Sequence, residues 1–384
     1  MKLYDDTEVA RMKLIKNAHV YAPEDRGVQD ILICNNRILA VRDHIDPVWE
    51  DTEIIDAAGK TAFPGFIDQH VHIIGGGGED GFASLIPPVR IRDLVRYGLT
   101  GVIGLLGTDA HAKSVEALVA KTKALKEEGM SAWCLTGSYA VPTVTLTGSV
   151  GKDIVFVEEI LGVKTAISDH RSSAPTVQEL ARLAAEARTA GLLAHKPGIV
   201  HLHTGRGKAG LKQILQIVEE TDIPIAQFRP THCGNQLDDA IVFGKKGGYI
   251  DFTAGEETAH KITCALKEVP LGQITLSSDS NGSFPKWSED NKLIGLGIGK
   301  PVTLFATVRD LIEKEHVSVC DAVSLITCNV AEAMLLTNKG YLKDGYDADI
   351  VLVDEKWNIT DVLCRGEFAV HDGVITVKEK YSDA

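Results

Sequence analysis

The sequence predicts an α/β protein, a (β/α)8 TIM-like barrel accompanied by a small β-sandwich domain built from both termini. Three observations carry that prediction. The middle of the chain alternates short apolar runs with helical patterns, the signature of βα units around a parallel sheet. Residues 1–62 and 340–384 instead read as short strands separated by turn residues. The full length of 384 residues accommodates one large barrel of residues 63–339 together with something small.

Taken in order, the first strands are expected at 14–20, 30–34 and 37–41, with Asn35 and Asn36 forming a tight hairpin turn between the last two. Barrel strands are expected to end near His72, Leu106, Tyr139, Lys164, His203, His232, Ala254 and Asp279. The fourth of these is read over 155–164, with Lys164 at its exit. Helices are expected over 115–128, over 176–190 with Thr176 as N-cap and Glu179 three residues on, and over 209–220 after a glycine. The C-terminal strands are expected at 348–353, 359–364 and 367–370. The run Gly75-Gly76-Gly77-Gly78 reads as an active-site loop or a plain connector.

Composition narrows the function classes. Apolar content of 44% and charged content of 24% are ordinary for a globular protein. A formal charge of −13 argues against a general affinity for nucleic acid or anionic membrane. No stretch of 18 apolar residues predicts a membrane span, and the acidic opening Met1–Asp6 lacks the apolar core of a secretory signal. Seven cysteines, an odd set with no Cys-x-x-Cys pair, suggest reduced thiols in the cytoplasm. Cys233 is expected to point away from its neighbour His232 and to be core.

The polar residues at the strand exits carry the chemistry. Pro64-Gly65-Phe66-Ile67-Asp68-Gln69-His70-Val71-His72 ends in two imidazoles on one face of a strand, half of a metal site. Strand five presents His201 and His203, strand six ends in His232, and strand eight ends in Asp279. Each alone has an ordinary explanation: a satisfied core histidine, or an aspartate capping a helix. Together at the mouth of one barrel they suit Zn²⁺, with Mn²⁺, Co²⁺ and Fe²⁺ also compatible, in an open site that reads as catalytic. Lys164 cannot bind a cation as an ammonium. A carbamate formed from its amine and CO2 could bridge two metals, whereas residue type alone favours an ordinary lysine.

At this point the chain resembles the amidohydrolase superfamily, and within it the isoaspartyl (β-aspartyl) dipeptidases. The resemblance rests on 64–72, on Val163-Lys164-Thr165-Ala166-Ile167-Ser168-Asp169-His170-Arg171-Ser172, on Pro230-Thr231-His232, and on Leu276-Ser277-Ser278-Asp279-Ser280-Asn281-Gly282-Ser283. It implies a binuclear zinc centre: His70, His72 and Asp279 on one ion, His203 and His232 on the other, and CO2-carboxylated Lys164 bridging them. His201 is left as core. It implies hydrolysis of the β-amide bond of isoaspartyl dipeptides with a free amino terminus, by a cytoplasmic homo-oligomer, commonly an octamer. Asp279 would shuttle the proton and Tyr139 would polarise the scissile carbonyl. Glu79 would hold the α-amino group, Thr108 and Ser283 the aspartyl α-carboxylate, and Arg171 a carboxylate.

One position departs from that pattern. Asn235 stands where the family carries a second arginine; it can donate a hydrogen bond but lacks the charge and fork. Arg206 and Lys208 are nearby cations that could compensate, or solvated loop residues. Asn235 keeps other amidohydrolase substrates open, namely N-acyl amino acids, cyclic amides and other dipeptides. A non-catalytic scaffold is the reading from a different class, though none of the six expected ligands is missing.

Overall fold

The computed structural model describes residues 11–47, 49–288, 290 and 293–380. The opening segment Met1–Asp6 therefore lies outside the described residues. The chain begins with β1 (Met12–Tyr21), β2 (Asp25–Cys34), β3 (Arg37–Arg42), β4 (Glu53–Asp56) and β5 (Thr61–Pro64). Asn35, at the β2–β3 turn, adopts φ 49°, the left-handed conformation that asparagine tolerates in tight hairpins. Eight parallel-type strands follow: β6 (Phe66–Val71), β7 (Leu99–Gly104), β8 (Ser131–Gly137), β9 (Ile160–Ile167), β10 (Ile199–Thr204), β11 (Phe228–Thr231), β12 (Ile250–Thr253) and β13 (Ile274–Ser277). An antiparallel hairpin, β14 (Ser283–Trp287) and β15 (Leu293–Ile298), comes next, and β16 (Ile350–Val353), β17 (Ile359–Cys364), β18 (Glu367–His371) and β19 (Val374–Ile375) complete the strands.

The middle is TIM-barrel-like. Strands β6 to β11 form one continuous parallel sheet in sequence order, and β12 pairs with β13. These strands are largely buried on both faces because helices cover the outside and side chains fill the inside. Every residue of β6, β7, β9 and β10 is buried. The last strand returns to the first through a parallel bridge between Val71 and Ser280. Between β11 and β12 the ladder is interrupted; both are four residues long, and Pro230 in β11 has no N–H to donate. A side chain spans the gap instead. The buried carboxylate of Asp251 accepts hydrogen bonds from Thr231, Gln69, Thr275 and Ser277 on three other strands.

The fourth strand runs later than its pattern suggested. Val155 and Phe156 close a helix, Val150–Phe156, capped by Ser149, and the strand starts at Ile160. Lys164 therefore sits inside β9, in register with His201 of β10, and the strand exit is Ile167. The helix Val177–Ala194 has the expected capping box, with Thr176 and Glu179 exchanging hydrogen bonds.

The two ends meet as expected. Their strands pair in one mixed nine-stranded sheet, ordered β19-β18-β17-β16-β5-β1-β2-β3 with β4 alongside β1, rather than registering as two sheets. Buried apolar residues from both ends, including Ile15, Val20, Ile31, Ile350, Leu352 and Leu363, make a cluster of their own. Lys339 ties the C-terminal segment to the barrel: its ammonium reaches Asp347, Asp349 and Ser131 of β8, each at 2.6 Å. All seven cysteines are unpaired, and Cys233 is buried with its Sγ against the Pro230 carbonyl. No helix among the described residues is long and apolar enough to cross a membrane.

Candidate active site

A cavity of about 860 Å³ opens at the carboxyl ends of the barrel strands. His72, Glu79, Thr108, Tyr139, Arg171, His203, Asn235, His232, Asp279 and Ser283 all line it, so most of the residues singled out from sequence converge on one place. Two of them hold unusual backbone: His232 has φ 59° and Asp279 has φ 53°. Left-handed conformations at non-glycine residues cost about 1 kcal/mol or more each, and they persist where surrounding structure imposes a functional geometry. The strand-eight turn is fixed by Asp68, which accepts hydrogen bonds from the backbone N–H of Ser278 and from its hydroxyl.

Three imidazoles face one carboxylate. The Nε2 atoms of His70, His72 and His232 lie 3.3, 3.2 and 4.0 Å from oxygens of Asp279. His70, His72 and Asp279 form a compact group able to hold a metal ion. Burial, followed by the positive field of Lys164, keeps His70 well below the ordinary histidine range, and burial followed by His203 does the same to His232. Burial pushes the Asp279 carboxyl up, but the hydrogen bond from His72 and the charges around it outweigh that, so the net shift is downward. An ionised carboxylate thus faces three imidazoles, of which His70 and His232 are held neutral by burial, and Asp279 Oδ1 has no well-aligned donor. A divalent cation satisfies all of these donors at once, so the residues fit a metal site.

The remaining predicted ligands sit differently. Lys164 is wholly buried beneath this group, with Nζ 3.5 Å from His70 Nε2. Burial drives its amine down to about 7, against opposing pulls from Asp279 and Asp251. His203 stands apart because both its ring nitrogens are engaged. Asp169 Oδ2 lies 2.8 Å from Nε2 and the Tyr139 hydroxyl 2.7 Å from Nδ1. Burial holds His203 near 4, so it is neutral and carries one proton. Burial raises Asp169, but His203 and Arg171 lower it further, leaving it ionised. The proton therefore resides on Nε2, facing the carboxylate, and Nδ1 offers a lone pair to the Tyr139 O–H. Asp169 sets the tautomer that a metal-binding histidine requires.

Two further roles escaped the sequence. His201 is buried, as expected of core, but its Nε2 lies 2.9 Å from His70 Nδ1 and fixes that ring. Asp169 lay within a recognised motif, yet only its position two residues past the end of β9 hinted at a role. The expected substrate contacts form a network among themselves. Ser283 donates to both oxygens of Glu79 at 2.7 and 2.8 Å, Thr108 reaches Glu79 at 3.5 Å, and Arg171 pairs with Glu79 at 3.1 Å. Thr108 and Ser283, expected on a substrate carboxylate, thus orient Glu79. Arg171 also makes a forked contact to Asp169 and lies over the Tyr139 ring at 5.6 Å. Asn235 donates to the Thr204 carbonyl and accepts from Arg206.

A profile of the amidohydrolase family matches residues 61–369. The chain belongs to the amidohydrolase family. Among solved members, the β-aspartyl dipeptidase of Fervidobacterium islandicum AW-1, in complex with the dipeptide β-Asp-Leu, superposes with a TM-score of 0.91. It is 40% identical, over 96% of this chain and all of that one. A second structure of that dipeptidase gives 0.89 and 38%. Among curated amidohydrolase relatives, a dihydroorotase of Elusimicrobium minutum is 48% identical over 425 residues, covering 92% of each chain. A dihydroorotase of Clostridium acetobutylicum is 25% identical, covering 91% of this chain and 92% of that one. The likeness to β-aspartyl dipeptidases expected from the motifs is therefore present across the whole amidohydrolase chain, and the protein is a hydrolase of that superfamily.

Proposed function

We propose that this protein is a binuclear metal-dependent isoaspartyl dipeptidase, hydrolysing the β-amide bond of β-aspartyl dipeptides that carry a free amino terminus. The observation that carries the reading is Glu79, a carboxylate on the cavity wall held by Ser283 and Arg171. A fixed carboxylate there suits the ammonium of a dipeptide and opposes an anionic ring lacking one. The 40% identical dipeptidase bound to β-Asp-Leu supports the same reading.

Two Zn²⁺ ions, held by His70, His72, His203, His232, Asp279 and a CO2-carboxylated Lys164, would supply Lewis-acid activation of water and of the scissile carbonyl. An amine must be neutral to capture CO2, and burial of Lys164 supports that. Asp279 takes the proton of the attacking water on its carboxylate and returns it to the departing amine nitrogen. Burial keeps the Tyr139 phenol well above its ordinary pKa, so it stays protonated. Its O–H can swing from His203 Nδ1 to the developing oxyanion, a single donor typically worth about 3 kcal/mol. Glu79 accepts from the substrate ammonium, and Thr108 and Ser283 keep their hydroxyls beside the aspartyl α-carbon substituents. Arg171 holds Glu79 and Asp169 in place and offers its remaining charge to a carboxylate.

The dihydroorotase relatives favour a second reading, a cyclic amidase on the same residues. Hydrolysis assays with β-Asp-Leu, α-Asp-Leu, N-acetyl-Asp and dihydroorotate separate the two. Turnover of β-Asp-Leu far above the rest is expected; dihydroorotate as the preferred substrate would replace the dipeptidase reading. Glu79→Gln is expected to raise KM for β-Asp-Leu by about tenfold or more, the size of a charge-assisted hydrogen bond, with metal content unchanged. Unaltered steady-state kinetics would remove Glu79 from the site.

The same reading includes a cytoplasmic homo-oligomer, which sedimentation of the purified protein measures. It also divides the chain into a small β-domain, 1–62 plus 340–384, and a barrel, 63–339. The separate apolar cluster shared by the two ends supports that division.

A further inference from the structure

We propose that Arg206 is the specificity-determining cation for the leaving residue's α-carboxylate, and that Asn235 is its positioning residue. The inference rests on the dipeptidase reading above. Among the described residues, three arginines or lysines line the cavity: Arg171, Arg206 and Lys261. Arg171 is committed to Asp169 and Glu79, and Lys261 pairs with Glu257 at 3.1 Å. Arg206 forms no ion pair among the described residues. Its one side-chain hydrogen bond among the described residues runs from Nε to Asn235 Oδ1 at 3.3 Å, which leaves both terminal NH2 groups for an anion.

The loop that carries Arg206 is held tightly. Gln236 Nε2 donates to the carbonyls of Gly205 and Gly207, at 3.2 and 3.0 Å. The Gly207 N–H donates to the Ser168 carbonyl, and a Cβ at Gly205 or Gly207 would lie 2.3 or 2.6 Å from that same oxygen. Asn235 is anchored in turn by its side-chain amide on the Thr204 carbonyl. An arginine on a clamped loop, with Nε satisfied and its fork free, loses little freedom when it takes a carboxylate in two parallel bonds. Asn235, which lacks the charge for that contact, supplies the tether for the residue that has it.

The test compares β-Asp-Leu with β-Asp-leucinamide, which differs only in lacking the terminal charge, on the metal-loaded full chain. Wild type is expected to prefer the acid. Arg206→Gln should raise KM for the acid by about tenfold (~1.4 kcal/mol) with kcat little changed, collapsing the preference in kcat/KM. Arg206→Lys, which keeps the charge without the fork, should fall between, and Asn235→Leu should lower the preference to a smaller extent. An acid-to-amide preference unchanged in Arg206→Gln and Arg206→Lys, or equal losses on both substrates, would overturn the inference while leaving the dipeptidase reading intact. A wild-type enzyme inactive on both compounds would remove that reading and this one together.

Discussion

Asp279→Asn is expected to lower kcat for β-Asp-Leu by about three to four orders of magnitude, the upper range for loss of a positioned acid–base group. Asparagine matches the shape of aspartate and retains one oxygen toward the histidines, but its amide can neither accept nor return the travelling proton. The surroundings of Asp279 suit that task. Burial opposes its ionisation, yet His72, His232 and Lys164 together hold the carboxyl below the ordinary range. The base form is therefore present throughout the neutral region, and activity should be lost only as the pH falls into the acid range. The measurement is kcat against pH beside metal content per chain. Turnover within tenfold of wild type would remove Asp279 as the proton carrier.

Lys164→Ala should lose metal and turnover together, by more than the 10- to 100-fold that loss of a supporting hydrogen-bond partner brings at a metal site. The cavity left behind is deep and lined by polar groups, so acetate or propionate should restore part of both. Full metal occupancy in the variant would end the carbamate proposal. The same residue has a signature in metal-stripped protein. Its folded pKa is lowered to about 7 from 10.5, so between those values the unfolded chain binds more protons than the folded one. Stability then rises with pH across that window, by at most about 5 kcal/mol. Lys164→Met should lack this rise; parallel stability–pH curves for the two proteins would contradict the buried-amine account.

The architecture was legible because both signals were local. Apolar runs alternating with helices announced parallel strands, and Thr176 with Glu179 announced a helix start that the structure reproduces. The misplaced fourth strand shows where local signals mislead. Val155 and Phe156 are strand-like residues, but the Ser149 cap and the packing of their helix on the next one make them helical, with Phe156 itself left exposed. In the site, the ligand types could be read because few residues bind metals and they recurred at strand exits. Partnerships could not. Nothing in the spacing of His201 and His70, 131 residues apart, says that their rings meet at 2.9 Å. Likewise, Asp169 sets the tautomer of His203 from the neighbouring strand's exit, a relation that depends on register across the β9–β10 pair. The tether from Asn235 to Arg206 is of the same kind: sequence showed a missing charge and a nearby one, and only geometry joined them.

The pairing of β5 with β16 joins residues 61–64 to 350–353. A ribosome makes β5 nearly three hundred residues before its neighbour exists. Until β16 emerges, the nascent chain carries an open strand edge beside an already assembled β1–β2–β3 meander, the kind of edge that recruits foreign strands. At about 5–20 residues per second, the edge of β5 stays open for some tens of seconds of synthesis, and chaperone shielding of that edge matters most until residues 350–353 arrive to close it.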